Sequence, residues 1–197
     1  MKTTTKQNKT KIIGISGSPR KENSHYMLGT VLEATKENFS SFHLNEMNIE
    51  TCRGCTNCQK GFECQQKDDM KKIIQKIENS QVIVLSSPTY FSNVSGLMKN
   101  FMDRCCPLYF SRKLEGKKAV PLSVGNLKEE LEFDEKGNCL WHNEEKDSVL
   151  ECQKAMERFC EILGVEVIGK VHVLHSDPKS KEKELIRLGQ KIGKLVK

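Results

Sequence analysis

Gln81-Val82-Ile83-Val84-Leu85-Ser86 is apolar at four consecutive positions, three of them β-branched, and Ser87-Pro88 follows directly. A strand with one face in water would alternate apolar and polar residues, whereas a parallel strand covered by helices on both faces is apolar throughout. This segment therefore predicts a central strand of a parallel sheet, and an α/β protein around it.

Shorter apolar runs on either side predict four more strands, at 11–16, 41–44, 118–124 and 165–174. Apolar residues at helical spacing lie between or after these runs, at 27–32, 70–77, 97–105, 149–163 and 185–195. Such alternation predicts a doubly wound, five-stranded parallel sheet in one domain over residues 1–197. The polar segment at about 128–147 lacks periodicity and predicts a surface insertion. Pro121 is an unusual residue for the middle of the fourth strand.

The composition is that of a soluble protein, with 37% hydrophobic and 29% charged residues among 197. No apolar run reaches the roughly 20 residues that a membrane helix requires. The net charge of +6 comes from lysines interleaved with acidic residues, without a basic stripe for nucleic acid. Nine cysteines without a signal segment favour a reducing compartment. We expect a cytoplasmic protein that binds neither membranes nor nucleic acid.

Four of these cysteines lie within thirteen residues, in the pattern Cys52-x2-Cys55-x2-Cys58-x5-Cys64. Structural zinc usually takes its ligands from two separated CxxC arms, whereas successive x2 intervals suit the corners of one four-iron four-sulfur cluster. The last interval is longer than in bacterial ferredoxins, which disfavours a simple ferredoxin domain. The spacing predicts a cluster, and free thiols, zinc or a disulfide remain alternatives.

The loop after the first strand, Ser16-Gly17-Ser18-Pro19-Arg20-Lys21-Glu22-Asn23-Ser24, combines hydroxyls, a guanidinium and an amide in front of a helix. Free N–H groups and the helix dipole favour an anion there. The segment lacks both the G-x-G-x-x-G and the P-loop pattern, so a monophosphate such as that of FMN fits better than a dinucleotide. The alternative is an ordinary strand-to-helix turn.

Together with this loop, the segments 87–96 and 97–104 resemble the flavodoxin-like NAD(P)H-dependent FMN reductases. The cysteine spacing, between the second strand and the helix that starts near Asp68-Asp69-Met70, narrows the resemblance to the iron–sulfur flavoproteins, electron carriers known chiefly from anaerobes. The resemblance covers roughly residues 11–126.

The resemblance implies two sets of cofactor residues. The first loop would bind the FMN phosphate, and the third-strand loop with a fourth-strand loop would surround the isoalloxazine ring. His25 stands where the family often has a hydroxyl. Tyr90 and Phe91 have an alternative role as core or oligomer-contact aromatics. The residues are, for the phosphate, Ser16, Ser18, Pro19, Arg20, Asn23, Ser24 and His25; for the ring, Pro88, Thr89, Tyr90, Phe91, Ser92, Asn93, Gly96 and Gly125; for the cluster, Cys52, Cys55, Cys58 and Cys64.

The sequence and the resemblance together predict a redox protein that carries electrons between FMN and a four-iron four-sulfur cluster, without an acid–base catalytic residue. The resemblance implies a homodimer or homotetramer, with ferredoxin, another small electron carrier or NAD(P)H as partner. The cluster is expected to be prone to loss on aerobic handling. One alternative is a cluster-free NAD(P)H-dependent reductase of flavins, quinones or nitro-compounds. Another is a thiol- or metal-sensing binding protein.

Remaining cysteines and histidines are predicted to be structural or are left without a role. Cys105, Cys152 and Cys160 fall on apolar helical faces and are predicted to lie in the core. Cys106 and Cys139 have no ligand-like neighbour in the sequence and receive no function. His172 and His175 occur outside any recognisable metal spacing and are expected to be structural.

Overall fold

A parallel sheet in the order β2-β1-β3-β5-β6 organises the chain. The computed structural model describes residues 11–61, 63–125, 133–138 and 142–197. The strands are β1 (Ile12–Ser16), β2 (Phe39–His43), β3 (Val82–Tyr90), β4 (Asn93–Val94), β5 (Lys118–Val124), β6 (Glu166–Val167) and β7 (Val171–Val173). β4 pairs antiparallel with β3, and β7 pairs parallel with β5 beyond β6. The predicted doubly wound α/β arrangement is therefore present.

Helices cover both faces of the sheet. They are α1 (Asn23–Ala34), α2 (Met70–Asn79), α3 (Gly96–Arg104), α4 (Cys106–Ser111), α5 (His142–Ile162) and α6 (Glu182–Leu195). α1 and α6 cover one face, and α2, α3 and α5 cover the other. Among the described residues, no helix combines the length and apolar character needed to cross a bilayer.

The continuous apolar character of β3 follows from this layering. Val82 and Val84 pack with α1 and α6, while Ile83 and Leu85 belong to the core on the opposite face. Both sides of the strand are buried, as expected for a central parallel strand. The carboxyl ends of β1, β3 and β5 consequently meet at one edge of the sheet.

The predicted fifth strand is divided into β6 and β7, and Pro121 supplies a physical reason. β6 pairs with β5 at Lys118 and Ala119, and β7 resumes the pairing at Leu122. Successive N–H groups of a strand point to alternate neighbours, and Gly125 donates to Val173 on β7. Pro121 has no N–H group on the side that faces β6 and β7. The hydrogen-bonded pairing of β5 with these outer strands is interrupted at this position.

Three features differ from the sequence-based expectation. Residues 88–90, predicted as a loop, extend β3 and return through Phe91 and Ser92 into β4. The short helix α4 was not predicted. Helix α5 begins at His142, inside the segment predicted as an insertion at 128–147. This start was missed because polar residues occupy the first turn of the helix.

Two glycines allow α6 to pack closely against α1. A Cβ atom at Gly189 would lie 2.3 Å from the carbonyl oxygen of Val31, and one at Gly193 would lie 2.2 Å from that of Thr35. Both obstacles are backbone atoms, which cannot rotate away. Gly29 in α1 differs, because a Cβ atom there would meet no heavy atom within 4 Å.

We predict that Gly193→Ala lowers the free energy of unfolding by about 1–3 kcal/mol, because the added methyl forces the helices apart. Gly29→Ala is the control, and it should be neutral or stabilising by up to about 1 kcal/mol, since alanine favours the helix. Urea unfolding followed by circular dichroism measures both. Equal effects of the two substitutions would contradict the close contact.

Candidate functional site

The first loop, residues 17–22 between β1 and α1, is fixed to its surroundings through backbone atoms. Gly17 N–H donates to Ser86 O at 2.8 Å, and Ser95 Oγ donates to Gly17 O at 2.6 Å. Asn45 Nδ2 donates to Pro19 O at 3.0 Å. A Cβ atom at Gly17 would lie 2.6 Å from Met98 Cβ, so only glycine allows this approach to α3. The loop is thus held in one position at the carboxyl end of β1.

The side chains of the first loop and of the serines on either side of it are either buried or exposed. Ser18 Oγ donates to Arg20 O at 2.7 Å and is buried, and Ser16 is fully buried. Arg20 is exposed, with Nε 3.4 Å from Glu22 Oε2. Ser24 is buried, and its carbonyl accepts from Ser86 Oγ. The serines shape the loop, while the Arg20 guanidinium lies on its outer side.

The start of α1 offers unpaired hydrogen-bonding groups. A helix leaves its first N–H groups without intrahelical partners, and Glu22 at the N-cap of α1 makes no side-chain capping bond. His25 Nδ1, in the first turn, is buried and has no hydrogen-bond partner among the described residues. Buried polar groups are normally paired. These groups are those that a bound phosphate would satisfy.

His25 also stacks against His43 at the end of β2, with ring centroids 4.5 Å apart. Burial, followed by the charge of the neighbouring His25, lowers the pKa of His43 below its usual value. The resemblance implied that His25 lies near the FMN phosphate, but nothing in the sequence indicated this stacking, because the two residues are far apart along the chain.

The hairpin between β3 and β4 carries two residues with left-handed backbone. Phe91 has φ 48° and Ser92 has φ 57°, where two-residue hairpins normally use Asn or Gly. Phe91 is fully exposed, and Tyr90 is 37% exposed. Neither aromatic is a core residue, so the alternative of a core role is wrong for both, and the alternative of an oligomer contact stays a prediction. Such backbone strain in exposed turns is concentrated at functional sites.

Gly125, at the end of β5, lies against a buried carboxylate. A Cβ atom there would lie 2.1 Å from Glu145 Oε1. Glu145 accepts the backbone N–H of His175 at 3.0 Å, and His175 Nδ1 lies 3.0 Å from the same carboxylate. Asn126, which the resemblance also brings into the fourth-strand loop, lies outside the described residues. Sequence analysis missed Glu145 because it falls within the predicted insertion.

The four cysteines of the compact motif line one cavity with Arg104 and Cys106. Cys52 and Cys55 are exposed, and Cys58 and Cys64 are half-buried. Each interval between successive cysteines contains a residue with positive φ, namely Gly54 at 64°, Thr56 at 59° and Gly61 at 82°. These reversals curl the cysteine loop, residues 51–67, around the cavity.

No three His, Cys, Asp or Glu side chains in the described part of the chain converge as one metal ion would require. A tetrahedral zinc ion needs such convergence. The thiolates around a cubane instead bind different irons, so they surround a volume.

The ends of the cysteine loop are tied together at a neck formed by Asn48, Glu50, Asp68 and Asp69. Asp69 Oδ2 accepts from Asn48 N–H at 2.9 Å, and Asn48 O accepts from Asp69 N–H at 3.0 Å. Asp68 Oδ2 accepts from Glu50 N–H at 3.0 Å. The loop therefore begins and ends at one fixed point, although Cys52 and Cys55 are exposed to solvent.

Arg104 at the end of α3 fastens the neck. Its guanidinium makes a two-pronged contact with Asp68, at 2.5 Å and 3.0 Å, and donates to Glu50 O at 2.5 Å. Both side chains of the ion pair are almost completely buried. The same guanidinium lies 3.6 Å from Cys64 Sγ. A buried cation beside this sulfur would stabilise a negative charge on the Cys64 sulfur.

The pKa of Asp68 reflects these contacts. Burial is the largest single influence and raises the pKa, but hydrogen bonds from Arg104, Glu50 and Met70, with the Arg104 charge, lower it below the usual value. The carboxylate is thus the favoured form in the folded protein. The sequence indicated only an acidic first turn for α2, and missed the partner on α3.

Cys106 is the fifth cysteine of this cavity, and the sequence predicted no function for it. Its Sγ lies 3.3 Å from Cys58 Sγ. Burial, followed by the hydrogen bond with Cys58, raises the pKa of Cys106 to about 12. Cys105, Cys152 and Cys160 are buried in the core, as predicted. Cys139 lies outside the described residues.

Known proteins agree with this geometry. The family model of NADPH-dependent FMN reductases matches residues 10–136. An iron–sulfur flavoprotein of Archaeoglobus fulgidus is 40% identical over 97 residues, or 48% of this chain and 48% of that protein. One of Methanocaldococcus jannaschii is 37% identical over 119 residues, or 58% and 62%. The structure of a flavone reductase matches with a TM-score of 0.68 at 18% identity, covering 95% of this chain and 63% of that chain.

The structural match shows a flavodoxin-like fold, which confirms the predicted fold class. The chain belongs to the NADPH-dependent FMN reductase family, whose model covers more than half of it. The relatives at 31–40% identity confirm the resemblance to the iron–sulfur flavoproteins. This chain spans about half to two thirds of the length of those relatives.

We predict that Asp68→Asn lowers the free energy of unfolding at pH 7 by about 3 kcal/mol, because it leaves the Arg104 charge buried without a counter-charge. The pKa of Asp68 is lowered in the folded protein, so this contribution is present above the unfolded pKa of about 4 and disappears as pH falls through the folded value. Urea unfolding at pH 7 and pH 3 measures the difference.

Asp103→Asn is the matched control for this prediction. Asp103 is 2.5 Å from Lys99 Nζ in an exposed ion pair. Exposed pairs contribute at most about 1 kcal/mol, so the control should remain close to the wild type at both pH values. A loss at Asp68 no larger than that at Asp103 would contradict the role of the neck.

Proposed function

We propose that the protein is an FMN-dependent redox protein that carries electrons between FMN and a four-iron four-sulfur cluster. The observation that supports this function is the shared helix α3. Its first turn contacts the first loop through Met98 and Ser95, and its last residue, Arg104, contacts the cysteine loop. When bound, FMN supplies one- and two-electron chemistry, and the cluster supplies one-electron transfer.

Cys52, Cys55, Cys58 and Cys64 are the proposed cluster ligands. They line one cavity, and the neck keeps both ends of their loop in place. The exposure of Cys52 and Cys55 makes a bound cluster accessible to small electron carriers and to oxygen. Arg104 would compensate part of the negative charge of the cluster and its thiolates.

The proposed FMN site lies at the carboxyl ends of β1, β3 and β5. Arg20, the N–H groups that start α1 and the buried His25 Nδ1 would hold the phosphate. Ser16, Ser18, Pro19, Asn23 and Ser24 would shape this loop. The segment from Pro88 to Gly96, together with Gly125, would border the ring. Phe91 is exposed enough to stack on a flat ring or on a neighbouring subunit.

Helix α3 contacts both proposed sites. Its nine residues span about 13 Å at 1.5 Å per residue. Asn100 Nδ2, midway along the helix, donates to Ile49 O at 2.9 Å, just before the neck. These contacts support two cofactor sites built on one helix of the same chain.

A cluster-free NAD(P)H-dependent reductase of flavins, quinones or nitro-compounds is the second candidate function. The family model favours it, because its description names NADPH-dependent FMN reduction. In this case NAD(P)H is the electron donor, and the cysteine loop would carry free thiols. A ferredoxin or similar carrier, a homodimer or homotetramer, and a cytoplasmic location remain predictions for either function.

We expect anaerobically purified protein to contain about four irons, four sulfides and one FMN per chain. Cys64→Ser should lose iron and sulfide and keep FMN, since the cysteine loop is separate from the first loop. Gly17→Ala should raise the Kd for FMN by roughly tenfold or more, about 1.4 kcal/mol, and keep iron. Metal analysis and fluorescence of released flavin measure these contents.

Gly29→Ala is the control variant, and it should retain both cofactors because its Cβ atom enters open space. FMN without iron, even after anaerobic reconstitution, would overturn the cluster and leave the reductase as the function. Loss of both cofactors from either variant would contradict two separable sites.

A further inference from the structure

Cys106 reaches the cysteine cavity from a different part of the chain than the compact motif. It is the first residue of α4, and it lies 48 residues after Cys58. The two sulfurs are 3.3 Å apart, a contact between thiols. In a disulfide they would be about 2.05 Å apart, so bond formation requires an approach of about 1 Å.

The surrounding structure allows this approach. Cys58 belongs to a short 3-10 turn, Asn57–Lys60, which packs directly on α4. Thr56 precedes this turn and Gly61 follows it, and both residues have positive φ. The turn is therefore a separate unit of the exposed loop. Cys106 is anchored by Leu108 of the same helix, which is buried in the core. Cys58 is the partner that would move.

A disulfide at this position would compete with metal binding. A cysteine binds iron as a thiolate, and a sulfur bonded to another sulfur no longer offers one. Cys58 is a proposed ligand, whereas Cys106 is outside the compact motif. Oxidation of the pair would therefore remove one of four ligands while leaving the other three in place.

We propose that Cys58 and Cys106 form a reversible disulfide in the metal-free protein, and that this disulfide prevents metal binding until a reductant opens it. The second part rests on the proposed cluster function, and the first does not. The chemical partner is a low-molecular-weight disulfide such as glutathione disulfide.

The reaction is a thiol–disulfide exchange in two steps. The Cys58 thiolate attacks one sulfur of the reagent, which releases one thiol and leaves a mixed disulfide on Cys58. The Cys106 sulfur then attacks the Cys58 sulfur, gives up its proton to solvent and releases the second thiol. Overall, two protein thiols are oxidised to one disulfide, and one reagent disulfide is reduced to two thiols.

Peptide mapping of the full chain tests the disulfide. The metal-free protein is reduced, equilibrated anaerobically with glutathione and glutathione disulfide, quenched in acid and alkylated. A peptide joining Cys58 to Cys106 should be the main disulfide product. Pairing of Cys58 with Cys52, Cys55 or Cys64 instead, or no bond to Cys106 at any ratio, would overturn the proposal.

Cobalt(II) binding, followed by its thiolate charge-transfer absorbance, tests the effect on metal. Oxidised wild type should bind cobalt at least about tenfold more weakly than reduced protein, since even the loss of an outer-shell partner costs that much. A phosphine reductant should restore binding. Equal binding by the oxidised and reduced forms would overturn the blocking role.

Two variants separate this effect from damage to the fold. Cys106→Ser should stop after the first step and keep glutathione on Cys58, whereas Cys105→Ala should form the Cys58–Cys106 disulfide as wild type does. Cys105 is buried in the core and does not line the cavity. Wild type that keeps glutathione on Cys58 as Cys106→Ser does would contradict the proposal. If reduced wild type binds no metal, the cluster function fails, and the peptide map still decides the disulfide.

Discussion

The buried ion pair between Arg104 and Asp68 is the contact on which the arrangement of both candidate sites depends. It joins the end of α3 to the neck of the cysteine loop, where Asp68 also accepts the N–H of Glu50. Two buried charges are costly unless they are paired and fully hydrogen-bonded. The Asp68 carboxylate meets both conditions, since it is paired and fully hydrogen-bonded. The pair therefore specifies one position for a loop whose described residues belong to neither hydrophobic core cluster.

The same helix connects this neck to the edge of the sheet where the carboxyl ends of β1 and β3 meet. Its N-cap, Ser95, accepts the N–H of Met98 and donates to Gly17 O, so the helix cap and the first loop share one hydroxyl. The close contact of Gly17 with Met98 leaves no room for adjustment. Helix α3 contacts the first loop at one end and the cysteine loop at the other, so the relative position of the two loops depends on the fold.

The sequence predicted the layers of this protein well. A strand that is buried on two faces has a continuous apolar run, such as 82–85, and a helix with one buried face has apolar residues at regular helical spacing. It also identified the four motif cysteines, which are close along the chain. Contacts between distant residues left no such signal. The Arg104 ion pair, the Cys106 contact and the stacking of His25 on His43 each join segments far apart in sequence. The turn at Phe91 was missed because neither residue is the glycine or asparagine expected with positive φ.

An anaerobic reductive titration, followed by visible absorbance and electron paramagnetic resonance, tests most directly whether one chain holds both redox centres. We predict that each chain accepts one electron more than FMN alone can, and that a paramagnetic iron–sulfur signal develops with the extra electron. The protein should be reconstituted with iron and sulfide beforehand, so that loss of the cluster in handling does not affect the result. Uptake limited to the capacity of the flavin, without an iron–sulfur signal, would contradict the two-centre account.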